Sequence, residues 1–250
     1  MTDPNPPQGR DESQKSPGGF MTLTDHLSEL RYRILVSFFF WVLASVAGWF
    51  ATPRVLSYIG SVPSLKDVQL ILIRPPEAFF VRMKTAMTLG FLIALPVLIY
   101  HVTAFVVPGL RSDEKKWLLR LLPGSVLLFY TGAAFSVMVM LPIVLHFFLV
   151  QMTRGIATPQ ISLEEYVNFL SAMILLGGLI FQTPMVLFFL TTIGILSSDI
   201  LASGRRYAII IIFIIAALAS PPDPFSQVVV AVPMLILYEA TIWLSRLAKK

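Results

Sequence analysis

Long apolar runs separated by short polar stretches dominate this chain. The runs are Ile34–Ala51, Met87–Val107, Leu121–Val150, Val167–Ile195, Tyr207–Ala219 and Phe225–Leu244. A helix rises 1.5 Å per residue, so about 20 apolar residues cross a hydrocarbon core of roughly 30 Å. The first, second and sixth runs fit that length. The third and fourth exceed it, which predicts tilt, a kink or projection into water. The fifth is short. Arg205 and Arg206 before it and the turn Ser220-Pro221-Pro222-Asp223 after it predict a hairpin with the sixth run, set in thinned bilayer or a water-filled dent. The pattern predicts an all-α integral membrane protein with six transmembrane helices.

Boundary chemistry refines the picture. Thr24 is placed to cap the helix that carries Glu29, with Asp25 in its first turn. Ser162-Leu-Glu-Glu165 has the form of a capping box ahead of the fourth run, and Asp223-Pro224 reads as an N-cap followed by a proline at the first helical position. Pro96, Pro142, Pro184 and Pro233 lie inside runs, where each removes an amide and suggests a kink, so a curved bundle is expected. The connection Thr52 to Pro76 is too long for a tight turn and is expected to hold a short helix or cap on the outer face.

Composition agrees with the pattern. Of the 250 residues, 56% are hydrophobic and 13% charged, against about 45–50% and 25% in soluble domains. Residues 1–20 are polar and rich in Pro, Gly and Ser, which predicts a disordered cytoplasmic tail ahead of a transmembrane domain over 21–250. The tail lacks the apolar region and cleavage site of a signal peptide, and its acids argue against a transit peptide. With the N-terminus cytoplasmic, 13 of the 19 Lys and Arg residues fall on the inner side, which predicts N-in, C-in. In a membrane protein a net charge of +5 reports such orienting loops, not nucleic-acid binding.

The chain carries few signatures of chemistry. The absence of cysteine excludes disulfides, thiolate zinc sites and a thiol nucleophile. There is no phosphate loop, no dinucleotide fingerprint, no His-Glu-x-x-His and no Gly-x-Ser-x-Gly. His26, His101 and His146 are far apart and read as packing or interfacial residues. No catalytic residue, metal or cofactor is expected. What remains is a set of carboxylates on a basic face: Glu29 in "DHLSELRYRI" and Asp113-Glu114 in "GLRSDEKKWLLR". Glu29 is spaced for an i,i+4 pair with Arg33, worth a few tenths of a kcal/mol if exposed. Asp113 and Glu114 suit the first turn after a Ser112 cap. Both readings stand beside a binding role, and spacing does not show whether Glu29 and Glu114 face each other. Gln182, deep in the fourth run beside Pro184, calls for a partner or a wet cavity. An interhelical hydrogen bond, a bond to carbonyls freed by Pro184, or a transport role would each supply one.

The segment "HLSELRYRI" resembles the His-Leu-x-Glu-Leu-Arg-x-Arg signature of the TatC family, the multi-span core subunits of twin-arginine protein translocases. "PPEAFFVRMKTAM", "ALPVLIYHVTAFVVPGL", "DEKK", "LLFYTGAAFSVMVMLP" and "SPPDPFSQVVVAVPMLILYE" resemble that family in the same order, over roughly Met21 to Lys250. The resemblance implies a curved, glove-like bundle with short fifth and sixth helices, set in a bacterial cytoplasmic membrane. It implies binding of twin-arginine signal peptides of folded precursors, assembly with single-span TatA- and TatB-type subunits, self-association, and transport driven by the proton-motive force. It assigns Glu29 and Glu114 to the signal peptide, with Phe105 beside them. Pro75, Phe79 and Asp223 match positions tied to outer-loop structure and transport, and Arg31 and Arg33 orient the first helix. Gln182 stands where many relatives carry a glutamate, which removes an ionisable group from that position. The resemblance also implies that the Glu29–Arg33 pair is a resting state. A secondary solute transporter using Gln182 and a structural scaffold are the competing classes.

Overall fold

The computed structural model describes residues 23–60, 68–153, 160–220 and 223–248. The tail expected over 1–20 lies outside them. The first helix, α1 (Leu23–Gly60), is already formed at Leu23, so Thr24 lies inside it and is not its cap. It continues past the apolar run, through Pro53, for 38 residues, about 57 Å at helical rise. Residues 61–67 of the connection that follows, where a short helix or cap was expected, lie outside the described residues. Among its described residues there is no separate helix. A strand, β1 (Gln69–Ile71), leads into a turn at Pro75 and then into α2 (Glu77–Val106).

A single turn of 3-10 helix, Val107–Gly109, links α2 to α3 (Ser112–Phe135). The extended residue before α3 is Arg111, so the predicted Ser112 cap sits one residue too late. The third run then continues as one long rod with two π turns: Ser136–Met140, α4 (Leu141–His146) and Phe147–Gln151. Pro142 explains the first. Its missing amide cannot pair with the preceding turn, and the neighbouring Leu141 amide reaches back five residues to Ser136.

A second strand, β2 (Gln160–Ser162), pairs in parallel with β1, Gln69 opposite Gln160 and Ile71 opposite Ser162. Ser162 then caps α5 (Leu163–Ile180) as predicted, accepting the Glu164 and Glu165 amides at 3.2 and 3.4 Å. The fourth run breaks at Phe181-Gln182 and resumes as α6 (Thr183–Thr192), with Pro184 in its first turn. Gly194, at φ +79°, ends α6 in a left-handed conformation that a side chain would strain. A short α7 (Ser198–Ser203), not anticipated from hydropathy, precedes α8 (Arg205–Ala219) and α9 (Pro224–Ala248). Asp223 caps α9 as expected, accepting the Ser226 amide at 2.7 Å.

Five of the described helical rods are long and apolar enough to cross a membrane. The remaining run, α8, has 15 residues and reaches only about 22 Å, so the fifth helix is short as expected; α9, with 25 residues, is not, because helix continues on past the apolar run to Ala248. The core lies around α5 and α9, where Tyr166, Val167, Met173, Val230, Ala231 and Ile242 are buried.

Lipid tails are as apolar as leucine, so helix pairs in a bilayer gain from close packing at small residues. The pair α1–α2 shows this. A Cβ on Gly90 would lie 2.5 Å from the Ser45 Cα, and the Trp41 indole donates to the Met87 carbonyl at 3.0 Å. At the α3–α5 crossing, Gly132 meets the Gly177 carbonyl and Gly178 lies under the Phe129 ring.

Candidate functional site

One end of the α1–α2 hairpin gathers most of the residues singled out above. Glu29 stands on the second turn of α1. Helical spacing brings Arg33 onto it: Arg33 donates from Nε at 3.0 Å and from Nη2 at 2.6 Å, both to Oε1. The two side chains are 16% and 22% exposed, so the pair is shielded more than a surface ion pair. The other carboxylate oxygen, Oε2, is buried and has no hydrogen-bond partner. One turn earlier, His26 stacks on Phe105 of α2, centroids 4.2 Å apart and rings nearly parallel. That contact places Phe105 beside the first turns of α1.

Glu114 follows on the far side of the 3-10 turn. Its carboxylate accepts the Arg111 amide at 2.8 Å and so closes the first turn of α3. Glu29 and Glu114 therefore each hold a donor from their own segment. Asp113 and Lys116 approach at 3.9 Å and are largely exposed. Arg31 is exposed.

Beside the Glu29–Arg33 pair opens an apolar cavity of about 680 Å³, within the usual range of roughly 300–1,000 Å³ for ligand clefts. Arg33, His101 and Phe105 line it together with Ile34, Phe38, Trp41 and Phe91 and with Leu175 of α5. No pattern in the sequence announced this groove, because its walls come from separate helices, with Leu30 and Leu175 lying 145 positions apart.

Gln182 is elsewhere. Its side chain donates to the Ser125 carbonyl of α3 at 2.8 Å, which ties the α5–α6 break to a neighbouring helix. Of the readings left open by sequence, the interhelical bond is the one observed. Such bonds within membranes are worth about 1 kcal/mol. Gln182→Leu is therefore expected to lower unfolding free energy in detergent by about that amount, which a thermal melt checks.

Pro75 lies in the exposed turn before α2, and Phe79, 57% exposed, leans on Trp49 at 6.1 Å. Both belong to the end opposite Glu29. So does the residue that sequence reading missed. Glu77 is 1% exposed. Its Oε2 accepts the Ile73 and Arg74 amides at 2.7 and 3.1 Å, and its Oε1 accepts the Glu164 amide at 3.0 Å and the Ser162 hydroxyl. Next to it Glu164 receives Lys84 at 2.6 Å and Arg74 at 3.4 Å. The available signals were an acid directly after Pro75-Pro76 and the Ser162 cap, which nothing in the spacing connects. Asp223 sits at the α8–α9 turn, with Oδ1 on the Ser226 amide and Oδ2 buried without a partner. Phe225 beside it stacks on Phe147 at 3.9 Å.

Fold and groove together define a multi-pass helical membrane protein with an apolar cleft and a shielded acid–base pair at its mouth. Comparison with known proteins narrows this class. The family model for Sec-independent protein translocase protein (TatC) matches residues 25–233. The TatC of Aquifex aeolicus is 39% identical over 92% of this chain and 97% of its own length. TatCy of Bacillus subtilis is 36% identical over 91% of this chain and 90% of its own. A crystal structure of the twin-arginine translocase receptor TatC superposes with a TM-score of 0.80 at 37% identity, over 90% of this chain and all of the other. The chain belongs to the TatC family, whose members are components of a protein translocase.

Proposed function

We propose that this chain is the receptor and core of a twin-arginine translocase, binding the signal peptides of folded precursors at the Glu29 end. The groove carries the reading. It puts an apolar cleft next to a shielded carboxylate, which is the chemistry needed for a peptide with an arginine pair ahead of an apolar stretch. Arginine's planar fork suits a carboxylate better than lysine's point charge, so Glu29 and Glu114 would each take one arginine by charge-assisted bonds. Phe105 would pack beside them, and the apolar stretch would follow Ile34, Phe38 and Trp41 and bury surface against them.

The distribution of Lys and Arg supports placing this end in the cytoplasm, with both termini inside and the protein in a bacterial plasma membrane. Family membership supports assembly with single-span TatA- and TatB-type subunits, self-association and use of the proton-motive force. In this reading Arg31 keeps its orienting part, while Pro75, Phe79 and Asp223 shape the far loops and the α8–α9 turn for transport. Gln182, already bonded to Ser125, offers little to the competing solute-transporter reading.

Site-specific cross-linking and pull-down with Arg-Arg against Lys-Lys signal peptides test the assignment. Glu29→Ala with Glu114→Ala is expected to lower Arg-Arg affinity by at least tenfold, as two charge-assisted contacts disappear. Unchanged cross-linking and affinity in that double variant would reject the site.

A further inference from the structure

We propose that Arg33 is a built-in competitor that holds the Glu29 site closed until a substrate arginine displaces it. The inference rests on the reading of Glu29 as a receptor carboxylate and adds to it the state of that carboxylate before binding.

The geometry is specific. Arg33 spends two donors, Nε and Nη2, on the single oxygen Oε1, at 3.0 and 2.6 Å. The other oxygen, Oε2, has no hydrogen-bond partner, yet it is buried. An incoming guanidinium therefore finds one oxygen occupied and the other covered. Oε1 is not free to accept until the Arg33 side chain moves. Arg33 also lines the groove with His101 and Phe105, so the same side chain stands where the peptide's apolar part would enter. It keeps 22% of its surface exposed, which leaves water to receive it on release. The resting pair imitates the contact it gives way to, a guanidinium on a carboxylate, and so costs little to exchange for a substrate arginine.

Competition of this kind weakens every ligand of Glu29 by the same factor and does not alter their ratio, since specificity is a difference between affinities. Its effect is a threshold. Weak basic sequences drop out of the working range while a paired arginine remains within it.

The test uses the full-length protein in detergent and fluorescent synthetic peptides with Arg-Arg or Lys-Lys ahead of an apolar stretch, with Kd read by anisotropy. Arg33→Gln is expected to tighten both peptides by a similar factor, roughly three- to tenfold, the range for a half-shielded charged hydrogen bond, with the Arg-Arg to Lys-Lys ratio preserved. In a Glu29→Gln background the same change is expected to give no tightening, because nothing is left to compete for. Arg33→Lys keeps a charge but loses the fork, and is expected to give an intermediate gain; it carries the test if Arg33→Gln folds poorly. Weaker or unchanged binding in Arg33→Gln overturns the proposal. So does equal tightening with and without Glu29, which would mean simple removal of positive charge. Should Glu29→Gln alone leave affinity untouched, the receptor reading of Glu29 fails, and the competitor with it.

Discussion

Glu77→Ala should lower unfolding free energy by about 3 kcal/mol or more, since it removes one carboxylate that serves four buried or half-buried donors. The Ile73 and Arg74 amides close the turn before α2, and the Glu164 amide and Ser162 hydroxyl open α5. Without the acid, the Ile73 and Arg74 amides and the Ser162 hydroxyl lose their acceptor at once, the Glu164 amide keeps only its longer bond to Ser162 at 3.2 Å, and the β1–β2 ladder between them loses its anchor. Glu77→Gln is the informative companion. Each oxygen of Glu77 takes two donors, so an amide can serve one pair with its carbonyl while its NH2 confronts the other. Less than half of the loss should be recovered. Thermal unfolding in detergent and limited proteolysis near Ile73 and Ser162 read the effect. Stability within 1 kcal/mol of the parent for Glu77→Ala would show that the network is not a clamp.

The second large effect is expected at the α3–α5 crossing. A Cβ on Gly177 would stand 2.8 Å from the Ser136 Cβ and 2.9 Å from the Gly132 carbonyl, with the Ser136 hydroxyl closer still. Two of these neighbours are a second helix's own backbone or its first side-chain atom, which cannot rotate away. Gly177→Val should therefore force the rods apart, at a cost of about 3 kcal/mol or more, and should reduce the yield of monodisperse protein in gel filtration. Adding Ser136→Gly removes the nearest obstacle and should restore part of the yield, while the Gly132 carbonyl still limits it. Equal yields for Gly177→Val and the parent would mean that the crossing relaxes freely.

The run lengths along the chain were enough to place the spanning rods, because a bilayer demands about 20 apolar residues whatever the topology. Caps at Ser162 and Asp223 were legible for the same local reason: each satisfies amides two or three residues away. Local signals also misled. Thr24 lies within α1, and the cap of α3 falls on Arg111 with Glu114 reaching back to it, because competing cap choices one residue apart differ little in energy. The break at Gln182 and the π turn before Pro142 were both hinted at by proline, but the bond that ties the Gln182 break to Ser125 depended on the neighbouring helix.

Sequence by itself determined that the chain is a multi-span membrane protein, where its rods run, and that Glu29 and Arg33 lie one turn apart. Helical periodicity and the thickness of a bilayer are local constraints, and they act on every segment alone. The tertiary structure decided what no local constraint reaches. It set Phe105 against His26, built the groove from α1, α2 and α5, and closed four donors from two distant connections on Glu77. It also left one oxygen of Glu29 taken and the other covered. Apart from the local bonds of Arg33 to Glu29 and of the Ile73 and Arg74 amides to Glu77, those contacts join residues far apart in the chain, and only packing brings them together.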